Sequence, residues 1–133
     1  MRYQGSLTIP AGTLQVSPAS VTIPLTYGRI DEVAVLFPPG PAGLVRCAVL
    51  YHEKQIFPTS PDESFIGDDH WIVFPERFPV YDEPFEIRLV GWSPSAAMSH
   101  TIYVEFTVES EAKAVVAYSG SVALPSSVLR TKR

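Results

Sequence analysis

The sequence predicts an all-β fold: a single antiparallel β-sandwich, jelly-roll-like or immunoglobulin-like, of about 8–9 strands with extended termini. Three observations point there. In Thr101–Val108, Ile102, Val104, Phe106 and Val108 share one parity, while Thr101, Tyr103, Glu105 and Thr107 share the other. Successive strand side chains point to opposite faces, so this is a strand with one apolar and one polar face. Thirteen prolines and eight glycines cut the chain into strand-length pieces, at a spacing of about ten residues. The i, i+3, i+4 repeat of an amphipathic helix is almost absent.

The elements follow in order. Ser6–Ile9 is a first short strand stopped by Pro10, and Thr13–Val16 a second, stopped by Pro18. Val21, Ile23, Leu25 and Tyr27 form the inward face of the next strand. Pro24 lies on its outward parity and cannot donate a ladder hydrogen bond, which marks an edge strand or a bulge. After Gly28, Ile30–Phe37 buries Val33, Val35 and Phe37. Pro38-Pro39-Gly40-Pro41-Ala42-Gly43 is a loop. Leu44–His52 and Gln55–Phe57 form a hairpin across Glu53-Lys54. Pro58–Asp62 is a loop, and Ser64–Ile66 a short strand. His70–Phe74 is a strand closed by Pro75, and Arg77–Glu83 a connector that carries Phe78, Val80 and Tyr81 over one end of the sandwich. Phe85–Trp92 points Phe85, Ile87 and Leu89 inward. Ser93–Ser99 links it to the strand that begins at His100. Ala114–Tyr118 and Val122–Leu124 carry little bulk. They divide the chain into a sandwich domain, 1–109, which includes an N-terminal arm, and a C-terminal strand or arm, 110–133.

A chain of 133 residues with 46% hydrophobic residues fits one domain with one modest core. Its net charge is −4, and its one basic cluster is Arg130-Thr131-Lys132-Arg133. Nucleic acid is therefore not the expected main partner, because neutralising phosphates takes clustered Lys and Arg. No apolar run approaches the ~20 residues that span a bilayer, so no membrane association is expected. No apolar stretch follows Met1-Arg2-Tyr3, so the expectation is synthesis in a cytoplasm without a cleaved leader. The single cysteine, Cys47, shares the parity of Val45, Val49 and Tyr51. It reads as a small buried hydrophobe, without a disulfide or a cysteine-based zinc site.

No catalytic, cofactor-binding or metal site is assigned from the residues. His52, His70 and His100 are in no metal-binding spacing. Asp68-Asp69-His70, with Asp62 and Glu63 near in sequence, could supply hard oxygen ligands to calcium. The Gly67-Asp68-Asp69 run reads better as a turn, where Gly and Asp are favoured for backbone reasons. No Gly-x-Ser-x-Gly elbow is present, although a serine triad can be assembled from any positions. The acidic pairs Asp31-Glu32 and Asp82-Glu83 flank strands, where surface carboxylates are commoner than the two-carboxylate cleft of a glycosidase. Prolines interrupt Pro39-Gly40-Pro41-Ala42-Gly43, so it lacks the run of N–H donors that cradles phosphate. Trp71, Trp92, Tyr51, Tyr81 and Tyr103 raise sugar binding, since flat aromatic faces suit stacking on sugar rings. Strands and sandwich cores favour aromatics for packing alone. Trp92 reads as a plug at the core or its edge, and Tyr103, on the polar parity, as the exposed candidate.

Three stretches together carry a resemblance: Leu36-Phe37-Pro38-Pro39-Gly40-Pro41-Ala42-Gly43-Leu44; Gln55-Ile56-Phe57-Pro58-Thr59; and Glu83-Pro84-Phe85 through Gly91-Trp92-Ser93-Pro94 to His100-Thr101-Ile102. Across roughly residues 5–108 the chain resembles short β-sandwich proteins encoded among the structural genes of tailed phages and prophages. The resemblance implies a non-enzymatic virion component, a capsid decoration protein or another head or tail accessory. Its expected partners are other copies of itself and a major capsid or tail protein. The alternative is a small carbohydrate-binding or adhesion module. An exposed groove with aligned aromatic rings would favour the module, and termini extended over another chain would favour the virion part.

Overall fold

The structure is a computed structural model and describes residues 1–111. Nine strands form among them: β1 (Arg2–Ile9), β2 (Ala19–Pro24), β3 (Gly28–Phe37), β4 (Arg46–Tyr51), β5 (Lys54–Phe57), β6 (Phe65–Ile66), β7 (His70–Val80), β8 (Glu86–Trp92) and β9 (His100–Ser110). Every pairing among these nine strands is antiparallel, and they form one four-stranded sheet, β1-β9-β3-β7, and one five-stranded sheet, β2-β8-β4-β5 with β6 beside β4.

The pairings nest. β1 pairs with β9, β2 with β8, β3 with β7 and β4 with β5. The chain is thus one long hairpin, its tip at His52-Glu53, rolled over so that β3 also meets β9 and β4 also meets β8. With the short β6 set aside, that is the strand order of a jelly roll. Of the two sandwich types the sequence allowed, the topology is the jelly roll.

The two inward faces make the core. Leu7, Ile9, Val33, Val35, Phe37, Ile102, Val104, Phe106 and Val108 of the first sheet meet Ile23, Cys47, Val49, Phe57, Ile87 and Leu89 of the second. Burying each large side chain contributes about 1.5–3 kcal/mol. Ile30 and Val33 differ in parity yet both are buried, because the register of β3 shifts between Ile30 and Glu32. An inserted residue returns the following side chains to the same face. Ala48, Val90 and Trp92 form a second, small cluster. Their register places it on the outer face of the second sheet, Ala48 opposite Val90 and Trp92 opposite Arg46. Trp92 is buried as expected, but its parity opposes that of Ile87 and Leu89, so it covers the sheet from outside.

Several expectations need correction. Thr13–Val16 is a turn region, tied down where Ser93 N–H donates to Thr13 O and Gly12 N–H donates to Ser93 O. The hairpin turn lies at His52-Glu53, one residue earlier than expected. Both residues have positive φ, 52° and 63°, the conformation that a two-residue type I′ turn requires. Pro75 does not end β7, and there is no connector at 77–80. Among the described residues β7 pairs only with β3, and as an edge strand it tolerates prolines that donate no ladder bond. The N-terminal arm is also corrected: residues 2–9 are β1, in continuous register with β9, and Leu7 and Ile9 are buried. The inward parity of Tyr3, Gly5, Leu7 and Ile9 extends back past Ser6, so the segment gains more by completing its own sandwich. At the other end, β9 continues through Ser110, and Glu111 N–H donates to Tyr27 O at 3.2 Å. The arm expected for 110–133 otherwise falls on 112–133, outside the described residues.

Candidate functional site

Among the described residues, the outer face of the four-stranded sheet carries a row of exposed aromatics that the topology brings together. Leu36 of β3 is in register with Trp71 of β7 on one side and with Tyr103 of β9 on the other. Beyond Tyr103 stands Ser6 of β1. The next row reads Val73, Ala34, Glu105, Gln4. Strict alternation puts these side chains outward, since Ile72, Val35, Val104 and Ile102 take the inward positions between them. Trp71 is 53% exposed, Val73 54% and Tyr103 45%.

A shallow depression of about 280 Å³ lies in this face, lined by Trp71, Leu36, Tyr103, Gln4 and Glu105, together with Gly5 and Val104. Gly5 and Val104 point inward, so they contribute main chain to its floor. Its polar end is an ordered group. Gln4 Nε2–H donates to Glu105 Oε2 at 2.7 Å, and Arg2 Nη1 lies 3.8 Å from Glu105 Oε1. The depression thus joins apolar ring faces to a charge-balanced cluster of donors and acceptors. No protein-family model matches the chain, and no curated protein matches it. The site is therefore read from its own geometry.

The other aromatics raised by the sequence have structural partners. Tyr51 Oη donates to Asp82 O at 2.6 Å and accepts from Asp82 N–H at 3.1 Å, clamping the turn between β7 and β8. Tyr81 stacks on Tyr27 with ring centroids 5.0 Å apart. Trp92 borders a second depression of about 290 Å³ with Gln15, Arg46, Gln55 and Asp62, but is only 8% exposed. Parity marked Tyr103 as exposed. Trp71 carried the same signal, standing beside the inward Ile72 and Phe74, but its meeting with Tyr103 across Leu36 depends on pairings between strands far apart in sequence.

The ionisable candidates are dispersed. His52 sits at the hairpin tip, its Nε2 3.1 Å from Asp82 O and 3.3 Å from Pro84 O. His70 opens β7 opposite Phe37, and His100 opens β9 opposite Ile9. Asp68 closes a loop: the N–H groups of Gly40 and Ala42 donate to its Oδ1 at 2.9 and 3.0 Å. These bonds, Ala42's first and then Gly40's, hold the Asp68 carboxyl below its ordinary range. Asp69 follows with a positive φ of 51°, so the Gly67-Asp68-Asp69 segment turns as expected. Asp31 lies in the β3 irregularity, and the hydrogen bond from Arg29 Nε at 2.6 Å is the main cause of its lowered pKa. Glu63 O, Ser60 O and Pro58 O all accept from Gln55 Nε2, which fixes the loop after β5. Among the described residues no group of three or more His, Cys, Asp or Glu side chains could hold a metal ion, and no helix is long and apolar enough to cross a membrane.

Proposed function

We propose that this chain is a non-enzymatic virion structural protein, a capsid decoration or other head or tail accessory, that works by binding through the outer face of its four-stranded sheet. The observation that carries a binding role is the exposed row Trp71–Leu36–Tyr103 with Val73 beside it; taken alone this row is the feature that favours the carbohydrate-binding or adhesion alternative, and the virion role rests on the resemblance. Exposed apolar side chains gathered into one patch, rather than scattered singly, mark interaction surfaces. The place in a virion is supported by the resemblance of the loop and strand stretches to tailed-phage and prophage structural proteins. The strand order adds an analogy, since viral capsid and lectin domains share the jelly roll, although a fold alone does not assign a function.

In this reading the protein is made in the host cytoplasm and assembles with copies of itself and with a major capsid or tail protein, leaving the aromatic face outward. Mass spectrometry of purified particles from the producing host tests the proposal. Peptides of this chain should co-purify at a constant ratio to the major structural protein across a density gradient. Their presence in the lysate and absence from the particles would overturn it.

A further inference from the structure

We propose that the depression between Trp71 and Tyr103 is a binding site for an uncharged oligosaccharide, with one sugar ring on each aromatic side chain and the hydroxyl edges turned toward Gln4 and Glu105. The inference rests on the reading of this face as the working surface, and it names the class of ligand.

The geometry carries the assignment. Trp71 and Tyr103 stand two strands apart in one register row, roughly 10 Å at the spacing of paired strands. That is about twice the repeat of a linked pyranose chain, so the two aromatics match rings two residues apart, with the intervening ring over Leu36. Between them Leu36 forms an apolar floor to the shallow depression. Both rings are held by rigid strands, so little conformational entropy is lost when they are covered.

The polar end chooses among ligands. Gln4 hydrogen-bonds Glu105 and Arg2 pairs with it at ion-pair distance, so the three form one charge-balanced group. Glu105 would repel an anionic sugar, and Arg2 would repel a cationic one. Against uncharged hydroxyl and amide groups the same cluster offers acceptors and donors: the Gln4 carbonyl, the second Gln4 N–H, and the remaining lone pairs of Glu105. A sugar ring has this amphipathic pattern, apolar C–H faces and polar rims.

A protein partner fits less well. A stable protein interface recruits about 20–30 residues a side around an apolar centre. Here the apolar strip is Trp71, Val73, Leu36 and Tyr103 with Ala34 and Pro75 beside it, and the outward positions around it include Gln4, Ser6, Thr8, Thr101, Thr107, Glu32 and Glu105. A hydroxyl-rich surround with a two-ring centre suits a small wettable ligand better than a folded surface.

The test uses the full chain on an array of neutral and N-acetylated oligosaccharides. Any positive is then titrated by tryptophan fluorescence, with chitotetraose and cellotetraose as the first soluble probes. Wild type should bind at least one glycan and change its fluorescence. Trp71→Ala should abolish the fluorescence change, and Trp71→Ala and Tyr103→Ala should each weaken binding roughly tenfold or more. Trp71→Phe, which keeps a ring, should retain most of the affinity. Tyr81→Ala, which removes an exposed aromatic elsewhere, should leave it intact. All three side chains changed in these four variants are substantially exposed, so the variants should melt close to wild type. A blank array with folded wild type overturns the inference, as does binding that survives loss of both rings. So does stable self-association or capsid-protein binding that the two alanine substitutions abolish while no glycan binds. Particle proteomics remains separate: the chain present in particles with a blank array defeats the ligand class alone. Glycan binding by a chain absent from particles defeats the virion role alone.

Discussion

Ile9 lies against Gly91, so closely that a Cβ added to Gly91 would collide with Ile9 Cδ1 and stand 3.2 Å from Leu7 Cδ2. β1 and β8 belong to different sheets, and this contact closes the sandwich where they face each other. Gly91→Ala should destabilise the protein by about 1–3 kcal/mol, the usual cost of overpacking a core. Chemical denaturation of the variant, at unchanged slope, gives the comparison. An unchanged midpoint would mean the two sheets sit farther apart than described.

Phe106 is fully buried in the same cluster as Ile102, Val104, Ile87 and Leu89, with Phe85 packed against it. Phe106→Ala should cost about 3–5 kcal/mol, a large share of a small domain's stability. Phe106→Leu should recover most of this. A melting temperature unmoved by the alanine substitution would reverse the assigned faces of β9.

Cys47 is fully buried among apolar neighbours, and burial pushes its thiol pKa well up. A thiol reacts as its thiolate, so labelling by a thiol reagent at neutral pH should be slow in the native protein and fast after denaturation. Equal rates in the two states would place Cys47 outside the core.

Asp68 gives the loop at 38–43 a dependence on acid. Its carboxyl is held below the ordinary range by the N–H groups of Ala42 and Gly40. A group whose folded pKa is lowered stabilises the fold while ionised. The contribution is complete above its unfolded pKa, about 3.9, and is lost as pH falls through the lower folded value. Amide exchange at Gly40 and Ala42, corrected for the intrinsic rate, should therefore accelerate as Asp68 is protonated. In Asp68→Ala it should be fast at every pH. Protection of those amides in the alanine variant would contradict the role given to Asp68.

The strands with both faces defined were legible before the structure. β3, β8 and β9 follow the alternation of Val33-Val35-Phe37, Ile87-Leu89 and Ile102-Val104-Phe106, because each has one face on the core. The edges were harder. β7 crosses Pro75 and Pro79; Pro75 read as a stop only because a proline's effect depends on whether its strand has a neighbour on that side. The first half of β1 is Arg2, Tyr3, Gln4 and Gly5, too polar to show its pairing with β9 without the register. The candidate site was legible in part. Tyr103 stood out by parity, but its alignment with Trp71 is a product of the rolled-hairpin topology. β3, β7 and β9 are separated by loops and intervening strands, and periodicity holds no information on which of them pair.

Hydroxyl-radical footprinting of purified particles tests most directly the claim that this protein serves a virion through an outward aromatic face. Oxidation at Trp71 and Tyr103, read by mass spectrometry, is compared between the free protein and the assembled particle. The account expects peptides of this chain in the particle, with both side chains oxidised about as readily as in the free protein. Peptides missing from the particle, or present with Trp71 and Tyr103 protected, would contradict it.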